Sequence, residues 1–358
     1  MKIERFEDLE CWKEVNSRNF LFFVFCFLFF ALSTLLFANA DAALPSDKIK
    51  IALFPFENLT DDRTALPQIM PVIKDQLEKK GIAILDEKSL ENFLLKERVR
   101  STGYISKDLA QKMGKELNVK AILAGSVTSF YLLKKPQAGL LARLVDSSNG
   151  EILWASQASA TGEDFTKLLG LGTIRSMDEL IPIVVDRLLT SFSVTSQRKE
   201  KEQTRRIAVM LFQNKSKHKD AGAIVTYMFL VELFKNKGYE PVEYGEIRRL
   251  TVDYRIRHRG ELDYKNIEGL SEALGVDGIV VGTVELFSDG LDTSSPPEVA
   301  ISARLINARK SRILWSDSIQ VKGDEDIIAF DWGRIRSIDS LTDKAVTKLI
   351  QKMEKAKW

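Results

Sequence analysis

The chain repeats itself, and that constrains its fold more than any other feature. Ile51-Ala-Leu-Phe-Pro-Phe-Glu-Asn58 is followed 156 residues later by Ile207-Ala-Val-Met-Leu-Phe-Gln-Asn214. Arg98, Arg100 and Gly103 line up with Arg255, Arg257 and Gly260 at a spacing of 157, as does Val119–Val127 with Val276–Val284. At a spacing of 161, Ala142-Arg-Leu-Val matches Ala303-Arg-Leu-Ile, Ile152-Leu-Trp154 matches Ile313-Leu-Trp315, and Gly172–Asp178 matches Gly333–Asp339. Blocks recurring in one order with small drift are two copies of one domain. The drift comes mostly from a longer hairpin loop in the second copy, Ser288 to Glu298.

Each copy reads as β-α-β-α-α-β-β-β-α, an α/β domain with a mixed sheet and helices packed on it. An apolar run ended by turn-prone residues opens it as a buried strand (Ile49–Phe54; Arg206–Leu211). A helix follows (Pro67–Lys80; Ala221–Lys237), with Gly81 or Gly238 suited to a left-handed exit. A short strand (Ile82–Leu85; Tyr239–Val242) and a helix (Lys88–Glu97; Tyr244–Leu250) come next. The following helix starts from Ser106 or Asp263, both good N-caps, and carries Leu109, Met113 and Leu117, or Ile267, Leu270 and Leu274, on one face. Three strands run in succession, Ala121–Leu133, Leu140–Asp146 and Ile152–Ala160 in the first copy. Asn149-Gly150 predicts a tight hairpin turn with positive φ at both residues. A final amphipathic helix (Thr173–Ser191; Arg336–Lys355) closes each copy. The early strand–helix alternation predicts parallel neighbours and the late meander antiparallel ones. The first domain is expected over residues 46–194 and the second over 206–358, joined by the charged linker 195–205, which lacks apolar periodicity.

IALFPFENLT, AILAGSVT and VDSSNGEILWA resemble the domain shared by the curli secretion protein CsgG and the amino-terminal domain of TolB, which penicillin-binding-protein activator lipoproteins of the LpoB kind also use. The resemblance covers nearly all of the chain beyond its leader, once in each copy. It implies envelope work: partner binding, oligomer formation, and support of secretion or cell-wall assembly. Two departures narrow this. A curli-type pore needs long hairpins with strands of roughly 9–11 alternating residues, and the loops Lys134–Ala138 and Ser288–Glu298 are too short and polar for them. No lipobox cysteine is present, and no propeller follows.

Residues 1–42 read as a secretory leader. Phe20–Phe37 carries no charge, and the small residues Ala38-Asn39-Ala40 and Asp41-Ala42-Ala43 follow it, so Ala40 and Ala42 are the expected cleavage positions. A start at Val15, if its codon is GTG, would leave residues 1–14 outside the product and give a conventional short n-region. The periplasm is therefore the expected location. The alternative is an uncleaved Phe20–Phe37 anchor in the inner membrane with periplasmic domains. Both cysteines, Cys11 and Cys26, lie in or before the leader, so disulfides do not stabilise the rest. A formal net charge of +2 does not by itself imply a polyanionic partner.

The residues give no catalytic signature, and no cofactor or metal is implied. His218 lies in a charged loop and His258 in an arginine run. Neither has a counterpart in the other copy, nor a spaced second ligand. No serine sits in a nucleophile-elbow pattern. Gly170-Leu-Gly172 lacks the glycine fingerprint of a phosphate loop and reads as a turn into the last helix. The surface of interest is basic: Arg248, Arg249, Arg255, Arg257 and Arg259, with a weaker version at Arg98 and Arg100. These arginines are candidates for binding an anionic group or an acidic partner, against the plainer reading of a solvated loop paired with Asp253 and Glu261. Trp154 and Trp315 read as core, and Asn58 and Asn214 as local turn formers.

The expected function is a non-enzymatic binding protein of the envelope acting on unidentified protein partners, by an open sheet edge or an inter-domain groove. Its oligomeric state is left open, nucleic acid is not a partner, and membrane contact is peripheral once the leader is removed. The alternatives are an envelope hydrolase and a cationic module docking on anionic lipid or polyanion through Arg248–Arg259.

Overall fold

Both Ile-Ala blocks form short strands whose apolar residues are almost wholly enclosed. The computed structural model describes residues 49–132, 136–166, 172–195, 204–256, 264–290, 295–327, 333–356 and 358. Ala40, Ala42, Phe20–Phe37, most of the linker, Arg257, His258, Arg259, Asp263 and Gly170 lie outside them.

The first half contains β1 (Lys50–Leu53), β2 (Glu57–Asn58), α1 (Ala65–Lys79), β3 (Ala83–Ile84), α2 (Glu87–Lys96), α3 (Lys107–Leu117), β4 (Ala121–Tyr131), β5 (Gln137–Asp146), β6 (Ile152–Thr161) and α4 (Met177–Leu189). The second contains β7 (Arg205–Val209), β8 (Gln213–Asn214), α5 (Ala221–Lys235), β9 (Tyr239–Pro241), α6 (Tyr244–Asp253), α7 (Tyr264–Leu274), β10 (Gly278–Ser288), β11 (Glu298–Asn307), β12 (Ile313–Lys322) and α8 (Ile338–Met353). The two mixed sheets have the same order, β3-β1-β4-β5-β6 and β9-β7-β10-β11-β12. The early strands pair in parallel and the last three antiparallel, as the alternation of elements predicts. The two-residue strands β2 and β8, too short to leave a pattern in sequence, pair in parallel with β4 and β10.

Ile69, Ile73 and Leu77 of α1 and Leu180, Val184 and Leu188 of α4 pack on one face of the first sheet, against Leu53, Leu140 and Leu144. Phe93 of α2 and Met113 of α3 cover part of the other face with Phe54 and Ile122. In the second half Val225, Phe229 and Leu233 of α5 take the positions of Ile69, Ile73 and Leu77. However, α5 is enclosed nearly all round, including Tyr227, Met228 and Val231. Its outer side lies on the first sheet, where Val231 meets Ile152 and Ala155. Burying an apolar side chain of this size contributes roughly 1.5–3 kcal/mol, so the two sheets share this helical layer within the compact unit Ile49–Trp358.

Three local expectations are corrected. Gly81 takes the left-handed exit at φ +79, but Gly238 does not. There α5 stops at Asn236, whose side chain accepts the Gly238 N–H at 3.0 Å. At the β5–β6 turn only Gly150 has positive φ. Asp146 Oδ1 accepts the Ser148 N–H at 2.6 Å, and the loop closes through Gly150 N–H to Asp146 O at 3.0 Å, a longer turn than a two-residue Asn-Gly hairpin. The last helices begin at Met177 and Ile338 rather than at Thr173 and Arg336, because Ser176 and Ser337 serve as N-caps.

Candidate functional site: the junction of the two halves

A mid-strand arginine in a buried strand needs a partner, and Arg143 of β5 finds one in the other half. Its guanidinium is fully enclosed. It donates to Glu243 at 2.9 and 3.2 Å and to the Gly103 carbonyl at 2.7 Å, and it lies 4.7 Å from the Tyr227 ring centre. Desolvation pulls the guanidinium pKa down, but the adjacent Glu243 carboxylate outweighs it and the net shift is upward. Tyr227 in turn donates to Glu57 at 3.1 Å, and burial pushes its own pKa well up.

Glu243 stands before α6 where Asp86 stands before α2. Its counterpart Asp86 caps α2 by accepting the Ser89 N–H at 2.8 Å. Glu243 stands at the same point before α6 but makes no side-chain cap. One methylene longer, it reaches Arg143 instead. Close backbone approach assists this: a side chain at Gly245 would collide with the Ile105 backbone.

A separate cleft of about 170 Å³ is lined by Thr128, Gln157 and Ser159 from the first half and Met228, Asp339, Ser340 and Asp343 from the second, among others. Asp339 accepts from Ser129, and Gly139 leaves the space its carboxylate occupies. Gln157 donates through Nε2 to Asp343 and, at 3.3 Å, to Glu232. The Ser159 and Ser340 hydroxyls meet at 2.8 Å. Burial raises the Asp339 pKa. Burial, then the neighbouring Glu232, pushes Asp343 up to about 7. Among the described residues, no three His, Cys, Asp or Glu side chains gather as a metal cluster.

Among the described residues the predicted arginines differ in their surroundings. Arg249 is held by Glu246 at 2.5 Å and Asp253 at 3.2 Å and approaches Asp108 at 3.9 Å, so part of the cluster is paired surface. Arg248 is half-buried, while Arg98, Arg100 and Arg255 are exposed. Arg98 and Arg255, equivalent residues past the ends of α2 and α6, share a left-handed backbone at φ 54 and 53. Next to them, Leu95 and Val252, also equivalent, are 69% and 56% exposed. His218 is half-buried against Phe287 at 5.0 Å rather than fully solvated. Trp154 is core, donating to Ser191 at 3.1 Å, and Trp315 is half-buried against the core. Asn58 and Asn214 close local turns, accepting from Thr60 N–H at 3.0 Å and Ser216 N–H at 2.9 Å. Reading the sequence missed the junction residues. The usable signals were an arginine within an apolar strand, a first helix in the second copy that is apolar all round, and Asp343 where the first copy has Pro182.

Among the described residues no helix is long and apolar enough to cross a membrane. No protein-family model matches the chain, and neither does any curated protein. Several solved structures are similar to part of it. A PelC dodecamer from Paraburkholderia phytofirmans is 16% identical, over 43% of this chain and 90% of that one, with a TM-score of 0.30. Lipoprotein GNA1162 from Neisseria meningitidis is 21% identical, over 40% of this chain and 99% of that one, with a TM-score of 0.29. The LpoB C-terminal domain from Salmonella enterica is 13% identical, over 35% of this chain and 87% of that one, with a TM-score of 0.28.

Proposed function

We propose that this chain is an exported, non-catalytic binding protein of the cell envelope, built from two CsgG/TolB-N-like domains, that supports secretion or envelope assembly through protein contacts. One observation carries the reading. In the first sheet, β5 is buried on both faces because the second half covers it. In the second sheet, β11 alternates between enclosed and open positions, and β12 is largely exposed. Arg304, the counterpart of Arg143, occupies the same register position, opposite Ser316 and Val281 as Arg143 is opposite Ala155 and Ala124. Arg143 meets Glu243, whereas Arg304 is exposed, with no carboxylate partner among the described residues. Ile313 is 58% exposed where its counterpart Ile152 is 6%. The second half thus presents, open, the surface that the first half uses for docking, with β12 at the edge of its sheet among the described residues.

Site-specific photo-crosslinking from Ser316 in intact cells, with fractionation, tests this. Discrete adducts in the envelope fraction that disappear with Arg304→Glu are the expected result. Adducts equally abundant from exposed Lys74 of α1, or retention of the protein in the cytoplasm, would overturn it.

The matched pairs Leu95/Arg98 and Val252/Arg255 favour a second reading, docking on anionic lipid headgroups. Binding to anionic vesicles that weakens with salt supports it, and indifference to salt excludes it.

A further inference from the structure

We propose that the junction of the halves is a proton-operated latch: Glu232 of α5 and Asp343 of α8 share one proton while Gln157 of β6 binds both, and loss of that proton weakens the docking of the second half on the first sheet. The contacts that carry this cross the junction. Gln157 Nε2 donates to Asp343 Oδ1 and, at 3.3 Å, to Glu232 Oε1. One amide nitrogen that reaches both carboxyl groups holds them side by side.

Two carboxylates held that close resist ionising together, so the pair keeps one proton and uses it as a hydrogen bond between the two groups. The partners show which member carries it. Glu232 binds Lys235 and accepts from Thr347 Oγ1 at 3.2 Å, contacts that favour its ionised form. Asp343 is half-buried and faces Gln157 and Glu232. The proton therefore sits on Asp343, which burial and then Glu232 push up from an ordinary 3.8 to about 7. Of the other charged groups nearby, Lys235 of α5 is already bound to Glu232, Lys344 is bound to Asp326, and Asp339 lies one turn back on α8. The first sheet brings the neutral Thr128, Gln157 and Ser159 to this cleft.

The fold does not require charge at these positions, because the first half builds the same helix pair without it. There Gln76 of α1 and Pro182 of α4 stand where Glu232 and Asp343 stand, and the Gln76 side chain donates to the Pro182 carbonyl at 3.1 Å. Gln157 has Ser318 as its counterpart, too short to span two acids. The three groups thus occur together only where the halves meet.

The direction follows from linkage. Asp343 titrates near 3.8 in the unfolded chain and at about 7 in the folded one, so between the two the folded chain holds an extra proton. The stability that this group contributes is greatest below its ordinary value, falls as pH rises to about 7, and changes no further above it. Asp339, also raised by burial, acts in the same direction, so the effect is read as a ratio between the parent and one variant.

Urea unfolding of the purified chain between about pH 5 and about pH 9 tests this against Asp343→Asn. The amide copies the protonated acid, accepting from Gln157 and donating to Glu232 at every pH. The parent's unfolding constant, divided by that of the variant, should rise by up to about tenfold per pH unit below about pH 7 and level off above it. At about pH 8 the variant should be the more stable protein. Glu232→Gln should move the levelling point to lower pH, because Asp343 then loses its anionic neighbour. A ratio that is flat with pH, or a levelling point unmoved by Glu232→Gln, overturns the proposal. Should Asp343→Asn fail to fold, the pH profile of Glu232→Gln against the parent decides on its own. The assay needs no partner, so either result leaves the proposed envelope role as it stands.

Discussion

Arg143 and Glu243 meet as a fully buried ion pair, and such a pair is far more costly to break than to replace. Glu243→Ala should destabilise the protein by about 3–5 kcal/mol, because the guanidinium is left uncompensated. The double variant Arg143→Met/Glu243→Leu should recover most of that loss in urea titrations. Equal loss in the double and single variants would mean that packing around the pair, rather than charge, sets the cost. Arg98 and Arg255 pose a different question, since a left-handed backbone costs a non-glycine residue roughly 1–2 kcal/mol. Arg98→Gly and Arg255→Gly should each stabilise the fold by about 1 kcal/mol. If vesicle binding falls in the same variants, the arginines are kept for their surface and at the expense of stability.

At the scale of elements, the first helix of each half shows what one sequence change in register does. Val231 of α5 is fully buried between the sheets, and its counterpart on α1 is the exposed Asp75. Val231→Asp places an unpaired charge in that layer and should cost more than about 4 kcal/mol. Limited proteolysis should then cut between the halves. Asp75→Val should stay within about 0.5 kcal/mol of the parent in the same denaturation assay. The caps diverge likewise. Asp86, exposed, has its pKa lowered by the Ser89 backbone N–H it accepts, then by the Ser89 side chain. A carboxylate depressed in the folded state contributes stability above its ordinary pKa and loses it as pH falls through the lowered value. Asp86→Asn keeps a cap but should flatten that part of the acid-unfolding profile, and an unchanged profile would exclude Asp86 from it.

For the whole molecule, the shared α5/α8 layer predicts a single unfolding event. Leu59 and Leu141 of the first half belong to the second half's core cluster, and Arg143 needs a partner from across the junction. Calorimetry should show one transition with matching calorimetric and van't Hoff enthalpies. Two resolved transitions would mean that the halves are stable separately. A chain ending after α4 should be strongly destabilised, since it exposes Leu141 and Ile152 and leaves Arg143 unpaired.

The sequence alone determined the order of elements, the two mixed sheets and the helices on them, because these follow from apolar period and turn chemistry within each half. Ser106, Gly81, Asn58 and Asn214 were legible for the same reason: their bonds are local. The tertiary structure decided which face of each sheet is covered, and therefore the fates of Arg143 and Arg304, which share a motif and a register position but differ in exposure. It also brought Asp339 and Asp343 against Thr128 and Gln157, residues about two hundred positions away that no periodicity links. Periodicity records that a side chain is enclosed; only packing between the copies determines what it meets there.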